Sequence, residues 1–281
     1  MQHMQTMQIL GVNLEVQRIA GQSTVAPIVF LHEGLGSVAM WRDFPAQLCA
    51  TTGRAGLVYS RRGYGQSAAV PAVRSPAHLL DGQRAGRLPP DYLHHEAWTV
   101  LPALLAACGI DKPVLLGHSD GASIALLYAS RFPTSACIAM APHLFVEELS
   151  LRSIEAARVA YETTDLRSKL ARFHADVDCA FWQWNDVWLS EAFRSFNIVA
   201  ECAQISCPLL GIQGYDDAYG TMAQVDALDC ETLSKNGLQP NEILRKQLLK
   251  LEQCGHSPHK DQGTVVSAAV ARFLSTTPST T

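Results

Sequence analysis

The residue whose sequence context most clearly indicates chemical reactivity is a serine in a short glycine-flanked motif. Ser119 lies in Gly117–Gly121, which reads Gly-His-Ser-Asp-Gly and fits the pattern Gly-x-Ser-x-Gly. An apolar run, 113–116, comes directly before it, and a helix-like segment beginning at Ala122 comes directly after it. A sharp strand–turn–helix connection exposes a serine hydroxyl at the edge of a sheet, and the flanking glycines let backbone segments pass close by. The pattern predicts that Ser119 is a nucleophile.

The best candidate for the base that a serine nucleophile needs is His256. A hydroxyl is a weak nucleophile until a neighbouring base takes its proton. His256 follows the last strand-like segment, with Gly255 before it and Pro258 soon after, as expected of a loop that reaches over a sheet edge. His259 is the alternative base in the same loop.

The acid that would orient this base is expected after the apolar run that ends at Gly214. Asp216 and Asp217 are adjacent there, so in an extended loop their side chains point to different sides. The Gly-x-x-Asp spacing favours Asp217, with Asp216 as the alternative. A buried carboxylate at this place fixes the imidazole tautomer and stabilises the imidazolium that forms during attack.

Acyl transfer also needs backbone N–H donors for the tetrahedral oxyanion, each worth about 3–4 kcal/mol. The N–H of Asp120 is the first candidate, because it lies at the N-terminus of the helix that follows Ser119. The second is expected from the loop 32–36, His-Glu-Gly-Leu-Gly. We expect it to be the N–H of Gly34, with that of Leu35 as the alternative.

The elements that must position these residues alternate between strands and helices. Apolar runs typical of buried strands cover 28–32, 56–59, 113–116, 136–140, 208–212 and 246–251. Two more strands, 7–12 and 14–20, are predicted to form a hairpin turned at Asn13. Helix-like segments cover 39–49, 96–108, 122–130 and 264–274. This alternation predicts an α/β fold built from βαβ units around a parallel sheet.

Two segments interrupt the alternation. Residues 68–92 are rich in Pro, Gly, Ala and Arg and are predicted to form a long surface loop. Residues 143–206 contain helical patterns and an aromatic cluster but no strand pattern, which predicts a helical cap inserted into a core formed by 1–142 and 207–281. The candidate substrate-binding residues come from the loop 32–36, from the serine turn and from the predicted cap: Glu33, Leu35, His118, Trp182, Trp184 and Trp188. Aromatic clusters such as that of the cap also form by packing alone.

With these residues placed, the sequence resembles the α/β-hydrolase superfamily over nearly its full length. Four motifs carry the resemblance in the expected order: 31–36, 59–67, 117–121, and 214–217 with 255–256. The resemblance implies a mostly parallel eight-stranded sheet flanked by helices, with a helical cap after the sixth strand. The chemistry expected of these residues needs no cofactor.

The chain departs from this family pattern at Glu33, which replaces the glycine that usually follows His32. Its carboxyl group either holds the loop or contacts substrate. Arg61 and Arg62, in the second motif, are expected to stabilise their loop rather than bind an anion.

Composition excludes several classes of partner. The net charge is −4 with scattered basic residues, so no nucleic-acid site is expected. There is no apolar stretch of the roughly 20 residues that a membrane-spanning helix needs, and the first residues lack the features of a signal peptide. The eight cysteines contain no Cys-x-x-Cys pair, which favours free thiols in a reducing cytoplasm and argues against a metal site.

The sequence therefore predicts a serine hydrolase that acts on a small-molecule carboxylic ester, lactone or thioester through an acyl-enzyme intermediate. A carbon–carbon bond hydrolase of a diketone, or an acyltransferase, would use the same triad. A ligand receptor built on this fold is a third possibility. Epoxide hydrolysis and dehalogenation by the usual route of this fold need an aspartate nucleophile, and position 119 is serine.

Overall fold

The fold is organised around one large sheet. The computed structural model describes residues 2–229 and 246–276. Its strands are β1 (Gln2–Ile9), β2 (Val12–Ile19), β3 (Ile28–Leu31), β4 (Gly56–Tyr59), β5 (His78–Leu80), β6 (Gln83–Ala85), β7 (Val114–His118), β8 (Ala136–Met140), β9 (Leu209–Gly214) and β10 (Lys246–Leu251). Eight of them form a sheet in the order β1-β2-β4-β3-β7-β8-β9-β10, in which β1 and β2 are antiparallel to their neighbours and the rest are parallel. The prediction of an eight-stranded, mostly parallel sheet is confirmed.

Helices cover both faces of this sheet. They are α1 (Phe44–Thr52), α2 (Tyr92–His95), α3 (Leu101–Cys108), α4 (Asp120–Ala129), α5 (Glu148–Thr163), α6 (Leu166–Leu170), α7 (Val177–Trp188), α8 (Val199–Cys202), α9 (Met222–Asp226), α10 (Pro258–Asp261) and α11 (Gly263–Ser275). Short 3₁₀ helices span Val38–Trp41 and Glu191–Ser195, and a π-helical turn, Glu96–Val100, joins α2 to α3. Among the described residues, no helix is long and apolar enough to cross a membrane.

The central strands are buried on both faces, which explains why they read as continuous apolar runs. Every residue of β3, β4, β7 and β8 is buried. Alternate residues of β3 enter different cores: Val29 and Leu31 pack into one, and Ile28 and Phe30 pack into the other. The sheet therefore separates two apolar layers and presents the carboxyl ends of its parallel strands at one edge.

The predicted turn of the first hairpin at Asn13 is wrong. The two strands turn at Leu10 and Gly11, which both have positive φ, 49° and 79°. A two-residue turn of that kind matches the twist of paired strands and favours glycine. Asn13 instead lies in β2, where it pairs with Gln8.

The predicted loop 68–92 is partly wrong, because it contains the hairpin β5–β6. Its turn is Asp81-Gly82, again with positive φ at both residues, 50° and 76°. Asp-Gly is a strong hairpin signal, but the strands on either side have only three residues each and carry little apolar pattern. The end of the predicted loop, Tyr92, belongs to α2.

The segment 143–206, which we call the cap segment, follows β8, the sixth strand of the large sheet along the chain. It contains α5 to α8, and its two ends meet in one isolated antiparallel bridge between Phe145 and Asn197. It also contacts the loop after β4: Ala175 N–H donates to Gly65 O at 2.8 Å, and Gly65 N–H donates to His174 Nδ1 at 3.0 Å. These contacts hold the cap segment against the core.

The seven described cysteines are free thiols. Cys230, which was also expected to be a free thiol, lies outside the described residues.

Candidate active site

Ser119 occupies a strained turn between β7 and α4. Its backbone has φ 54° and ψ −121°, a conformation that residues other than glycine rarely adopt and that persists only where the surroundings enforce it. Its N–H donates to Met140 O at 2.9 Å, and its carbonyl accepts from Ala122 N–H at 2.8 Å. These bonds fix the serine at the carboxyl end of the sheet.

The two glycines of the turn are required by close backbone contacts. A Cβ on Gly117 would lie 2.1 Å from Gly121 O, and a Cβ on Gly121 would lie 2.0 Å from Leu31 O. The strand β7, the helix α4 and the end of β3 can approach this closely only because both positions lack a side chain.

The structure brings Ser119, His256 and Asp217 together. His256 Nε2 lies 2.9 Å from Ser119 Oγ, and His256 Nδ1 lies 2.9 Å from both Asp217 carboxylate oxygens. With Nδ1 protonated and donating to Asp217, Nε2 is free to accept the serine proton. This arrangement can activate a serine hydroxyl for attack on a carbonyl carbon.

Asp217 is buried and has further donors besides His256. Its Oδ1 accepts from Tyr219 N–H at 2.7 Å, and its Oδ2 accepts from Gln213 Nε2 at 2.7 Å. Burial alone raises the pKa of Asp217, but the hydrogen bond and the charge of His256, with the bond from Tyr219, outweigh burial and hold the pKa below its usual value. The carboxylate therefore stays ionised next to the imidazole.

The alternative acid, Asp216, and the alternative base, His259, lie in different surroundings from Asp217 and His256. Asp216 is exposed. His259 is buried and packs against Trp41 and Phe44, with ring centroids 4.9 and 5.3 Å away. Burial lowers the pKa of His259 to about 2, so it stays neutral in that apolar contact.

The expected oxyanion donors are Asp120, which follows Ser119 directly, and Gly34, which lies in the loop after β3. Asp120 is the first residue of α4, where helix N–H groups have no partner within the helix. Its side chain turns inward and accepts from Tyr92 Oη at 2.7 Å and from Trp188 Nε1 at 3.2 Å. A Cβ on Gly34 would lie 2.2 Å from Trp184 Nε1, so the cap segment rests directly on this loop.

Arg61 ties the loop to the nucleophile turn. Its N–H donates to His32 Nε2 at 3.0 Å, its Nη2 donates to Glu33 O at 2.9 Å, and its Nη1 lies 3.4 Å from Asp120 Oδ2. Burial alone would lower the pKa of Arg61, but Tyr64 and Asp120 outweigh it and raise the pKa. Arg61 thus has the loop-stabilising contacts that the sequence predicts.

The Glu33 side chain faces protein groups. Its Oε2 lies 3.5 Å from His118 Nδ1, and its Oε1 lies 3.8 Å from Lys260 Nζ. Burial alone raises the pKa of Glu33, but His118 and Lys260 outweigh it and hold the pKa well below its usual value. On the other side of the ring, His118 Nε2 donates to His256 O at 2.6 Å. Of the two expectations for Glu33, these contacts favour holding the loop.

The predicted substrate-binding residues of the cap segment differ in their surroundings. Trp188 is buried, and its ring lies 4.9 Å from that of His143. The ring of Trp182 is covered by the Arg74 guanidinium at 3.7 Å and packs against Tyr161, with ring centroids 5.6 Å apart. Leu35 is half-buried, and its carbonyl accepts from His174 Nε2 at 3.0 Å.

Sequence reasoning missed Gln213 and His143. Gln213 is a fully buried amide at the end of β9, and a polar side chain in an otherwise apolar strand was the available signal. The ring of His143 lies 5.6 Å from that of His256. Burial and His256 lower the pKa of His143 to about 3, so it is neutral beside the base. Within 2–229 and 246–276, no group of three or more His, Cys, Asp or Glu is arranged to hold a metal ion.

The comparisons with known proteins agree with this architecture. Residues 28–269 match the alpha/beta hydrolase family, to which the chain belongs. A comparison with curated proteins found no sequence match.

Solved structures show the same fold at low sequence identity. The enol-lactonase from Burkholderia xenovorans LB400 is 18% identical with a TM-score of 0.69, covering 96% of this chain and 100% of that one. A thermophilic esterase from Thermogutta terrifontis is 17% identical with a TM-score of 0.67, covering 97% and 98%. An alpha/beta hydrolase from a Medee basin deep-sea metagenome library is 16% identical with a TM-score of 0.70, covering 98% of each chain.

Proposed function

We propose that this alpha/beta hydrolase is a serine hydrolase that cleaves a small carboxylic ester, lactone or thioester through an acyl-enzyme intermediate. The observation that carries the proposal is the continuous contact from Ser119 Oγ through His256 to Asp217. An esterase and an enol-lactonase with the same fold show that the fold supports such reactions.

In the proposed reaction, His256 Nε2 takes the proton of Ser119 as Oγ attacks the substrate carbonyl carbon. The oxyanion that forms is stabilised by the N–H groups of Asp120 and Gly34. His256 then gives the proton to the leaving group, and the acyl-enzyme remains. In the second half, His256 activates water, which hydrolyses the acyl-enzyme and restores Ser119.

The test is hydrolysis of p-nitrophenyl esters of increasing chain length by the wild type and by Ser119→Ala. We expect turnover by the wild type and a loss of at least about 10³-fold in kcat in the variant, because the nucleophile is removed. Circular dichroism of both proteins serves as the folding control. Ester turnover that persists in folded Ser119→Ala would contradict the proposal.

A second measurement does not depend on the choice of ester. A fluorophosphonate probe should add one covalent label to the wild type, located at Ser119 by peptide mass spectrometry. His256→Ala should label far more slowly, because the serine then lacks its base. Labelling at another serine, or equal rates in the two proteins, would exclude Ser119 as an activated nucleophile.

A further inference from the structure

A cavity of about 350 Å³ lies beside the candidate active site and is not part of it. It is enclosed by the turn of the β1–β2 hairpin, the β5–β6 hairpin, α2 with the π-helical turn, the loop 61–64, and one residue of the cap segment, Gln183. None of Ser119, Asp217 and His256 lines it.

The cavity combines apolar walls with a cluster of charges. The apolar walls come from both hairpins and from the segment before α2, including Ile9, Leu10, Val12, Leu14, Leu79 and Leu88. Leu10 and Leu79 are 53% and 74% exposed, so the cavity opens to solvent at the hairpin turns. Its charged residues are Arg61, Arg62, Arg84, His95 and Glu96.

Three polar atoms of the lining residues are buried and have no hydrogen-bond partner within the described part of the chain. They are the Nε of Arg62, the hydroxyl of Tyr64 and the Oε1 of Gln183. Tyr64 itself is only 2% exposed. Two of the three atoms are donors, and buried polar groups are ordinarily paired, so a ligand acceptor that reached them from the cavity would satisfy donors that are otherwise unpaired.

The charges do not balance inside the cavity. Arg61 is already engaged by Asp120 at 3.4 Å. Glu96, whose carboxylate accepts from Tyr59 Oη at 2.7 Å, is then the acidic residue among the residues that line this cavity with Arg62 and Arg84. Burial and the neighbouring Arg62 lower the pKa of Arg84, as expected where cations lie close together without enough countercharge.

We propose that this cavity binds a small monoanionic carboxylic acid with an apolar body, its carboxylate placed between Arg62, Arg84 and the Tyr64 hydroxyl. Arginine recognises carboxylates by charge-assisted hydrogen bonds, and the apolar walls would cover the rest of the molecule. Glu96 favours a monoanion over a phosphate dianion, because only one positive charge is left uncompensated. The site is separate from the proposed catalytic reaction, although Arg61 and Tyr92 connect its wall to Asp120.

The test is calorimetric titration of the wild type with benzoate and octanoate, with benzamide, octanamide and inorganic phosphate as comparison ligands. We expect at least one carboxylate to bind at least about tenfold more tightly than its amide and than phosphate. Arg84→Met and Arg62→Met should each weaken carboxylate binding at least about tenfold. The matched control is Arg87→Met, which removes an exposed arginine of the same segment that lies outside the cavity lining and should leave the affinity unchanged.

Leu88→Trp provides a second variant that keeps all the arginines and fills the cavity, so it should abolish binding. The proposal is overturned by the absence of carboxylate binding at millimolar concentration, by tighter binding of phosphate, or by unchanged affinity in folded Arg84→Met and Leu88→Trp. That last result would place the carboxylate elsewhere, for example at Ser119. The titration uses no turnover, so its outcome is independent of the proposed hydrolysis.

Discussion

At the scale of single residues, the carboxylate of Asp217 is the most constrained group of the candidate site. It accepts hydrogen bonds from a side-chain amide, a backbone N–H and the imidazole of His256. All three are donors, so the position requires an acceptor on both oxygens. An amide in place of the carboxylate would point its NH₂ group at one of these three donors. If that donor is His256 Nδ1, the imidazole must change tautomer so that Nδ1 accepts and Nε2 carries the proton.

Asp217→Asn should therefore lower kcat for ester hydrolysis by about 10⁴-fold, because the imidazole is no longer held with Nε2 free to accept the serine proton. Steady-state kinetics on p-nitrophenyl esters measures the loss. Urea denaturation should show a decrease in the free energy of unfolding of about 1–3 kcal/mol, from the buried donors left without an acceptor.

Asp216→Asn is the matched control, since Asp216 is the adjacent exposed aspartate. It should retain wild-type kcat and stability. Equal losses in both variants would mean that the loop as a whole, and not the Asp217 carboxylate, supports activity.

The candidate triad residues could be selected from the sequence because each stands in a local pattern: a strand–turn–helix for Ser119, a Gly-x-x-Asp after a strand for Asp217, and a Gly-His loop for His256. The direction of the Glu33 side chain could not be predicted this way. It depends on His118 and Lys260, which are distant in sequence and meet it only in the folded chain.

At the scale of elements, the nucleophile turn depends on how closely α4 packs against the ends of β3 and β7. Gly121→Ala should lower the free energy of unfolding by at least about 2 kcal/mol, because its Cβ would lie 2.0 Å from Leu31 O and 2.7 Å from His32 O. Both contacts are with backbone, which cannot move aside as a flexible side chain can. Urea denaturation measures the change in the free energy of unfolding. The rate of ester hydrolysis by Gly121→Ala should also be lower than that of the wild type.

Gly263→Ala is the control for a glycine in a helix. Gly263 is the first residue of α11, and a Cβ there meets nothing within 4 Å. This substitution should leave stability unchanged or raise it slightly. A Gly121→Ala protein as stable as Gly263→Ala would show that α4 can shift without penalty.

Element boundaries were predictable where burial alone decides them. The strands β4 and β8 begin and end at the predicted residues, because each is a short run that is buried throughout. The bounds of β10 also agree, although only Leu251 of that strand is buried. The turn of the first hairpin was predicted at Asn13 and lies at Leu10 and Gly11. The hairpin turned at Asp81-Gly82 was not predicted, because its two strands have only three residues each. The predicted helix 39–49 is likewise interrupted at Arg42, where φ is 53° and ψ is −133°.

At the scale of the whole molecule, the fold buries several histidines as neutral rings. Burial lowers the pKa of His32, His143, His174 and His259, in the case of His143 to about 3 and of His259 to about 2. In the unfolded chain a histidine has a pKa near 6.5. Between the two values the unfolded state binds more protons than the folded state, so stability falls as the pH falls below about 6.5.

The free energy of unfolding should therefore decrease between pH 7.5 and pH 5, with each such histidine contributing up to about 1.4 kcal/mol per pH unit below 6.5. Asp217 and Glu33, whose folded pKa values are lowered, remain ionised in both states over this window and lose their contribution only below about pH 4.5. Glu96, whose pKa is raised by burial, contributes with the opposite sign, so the histidines must outweigh it for the slope to be positive. Urea denaturation at several pH values measures the slope.

His259→Gln should flatten this slope, because glutamine cannot take up the proton that the unfolded histidine binds. The variant loses the ring contacts with Trp41 and Phe44, so the comparison is between slopes and not between stabilities at one pH. His78→Gln, which replaces an exposed histidine of β5, should keep the wild-type slope. Parallel curves for His259→Gln and the wild type would mean that His259 takes up a proton as easily in the folded protein as in the unfolded chain, contrary to its burial beside Trp41.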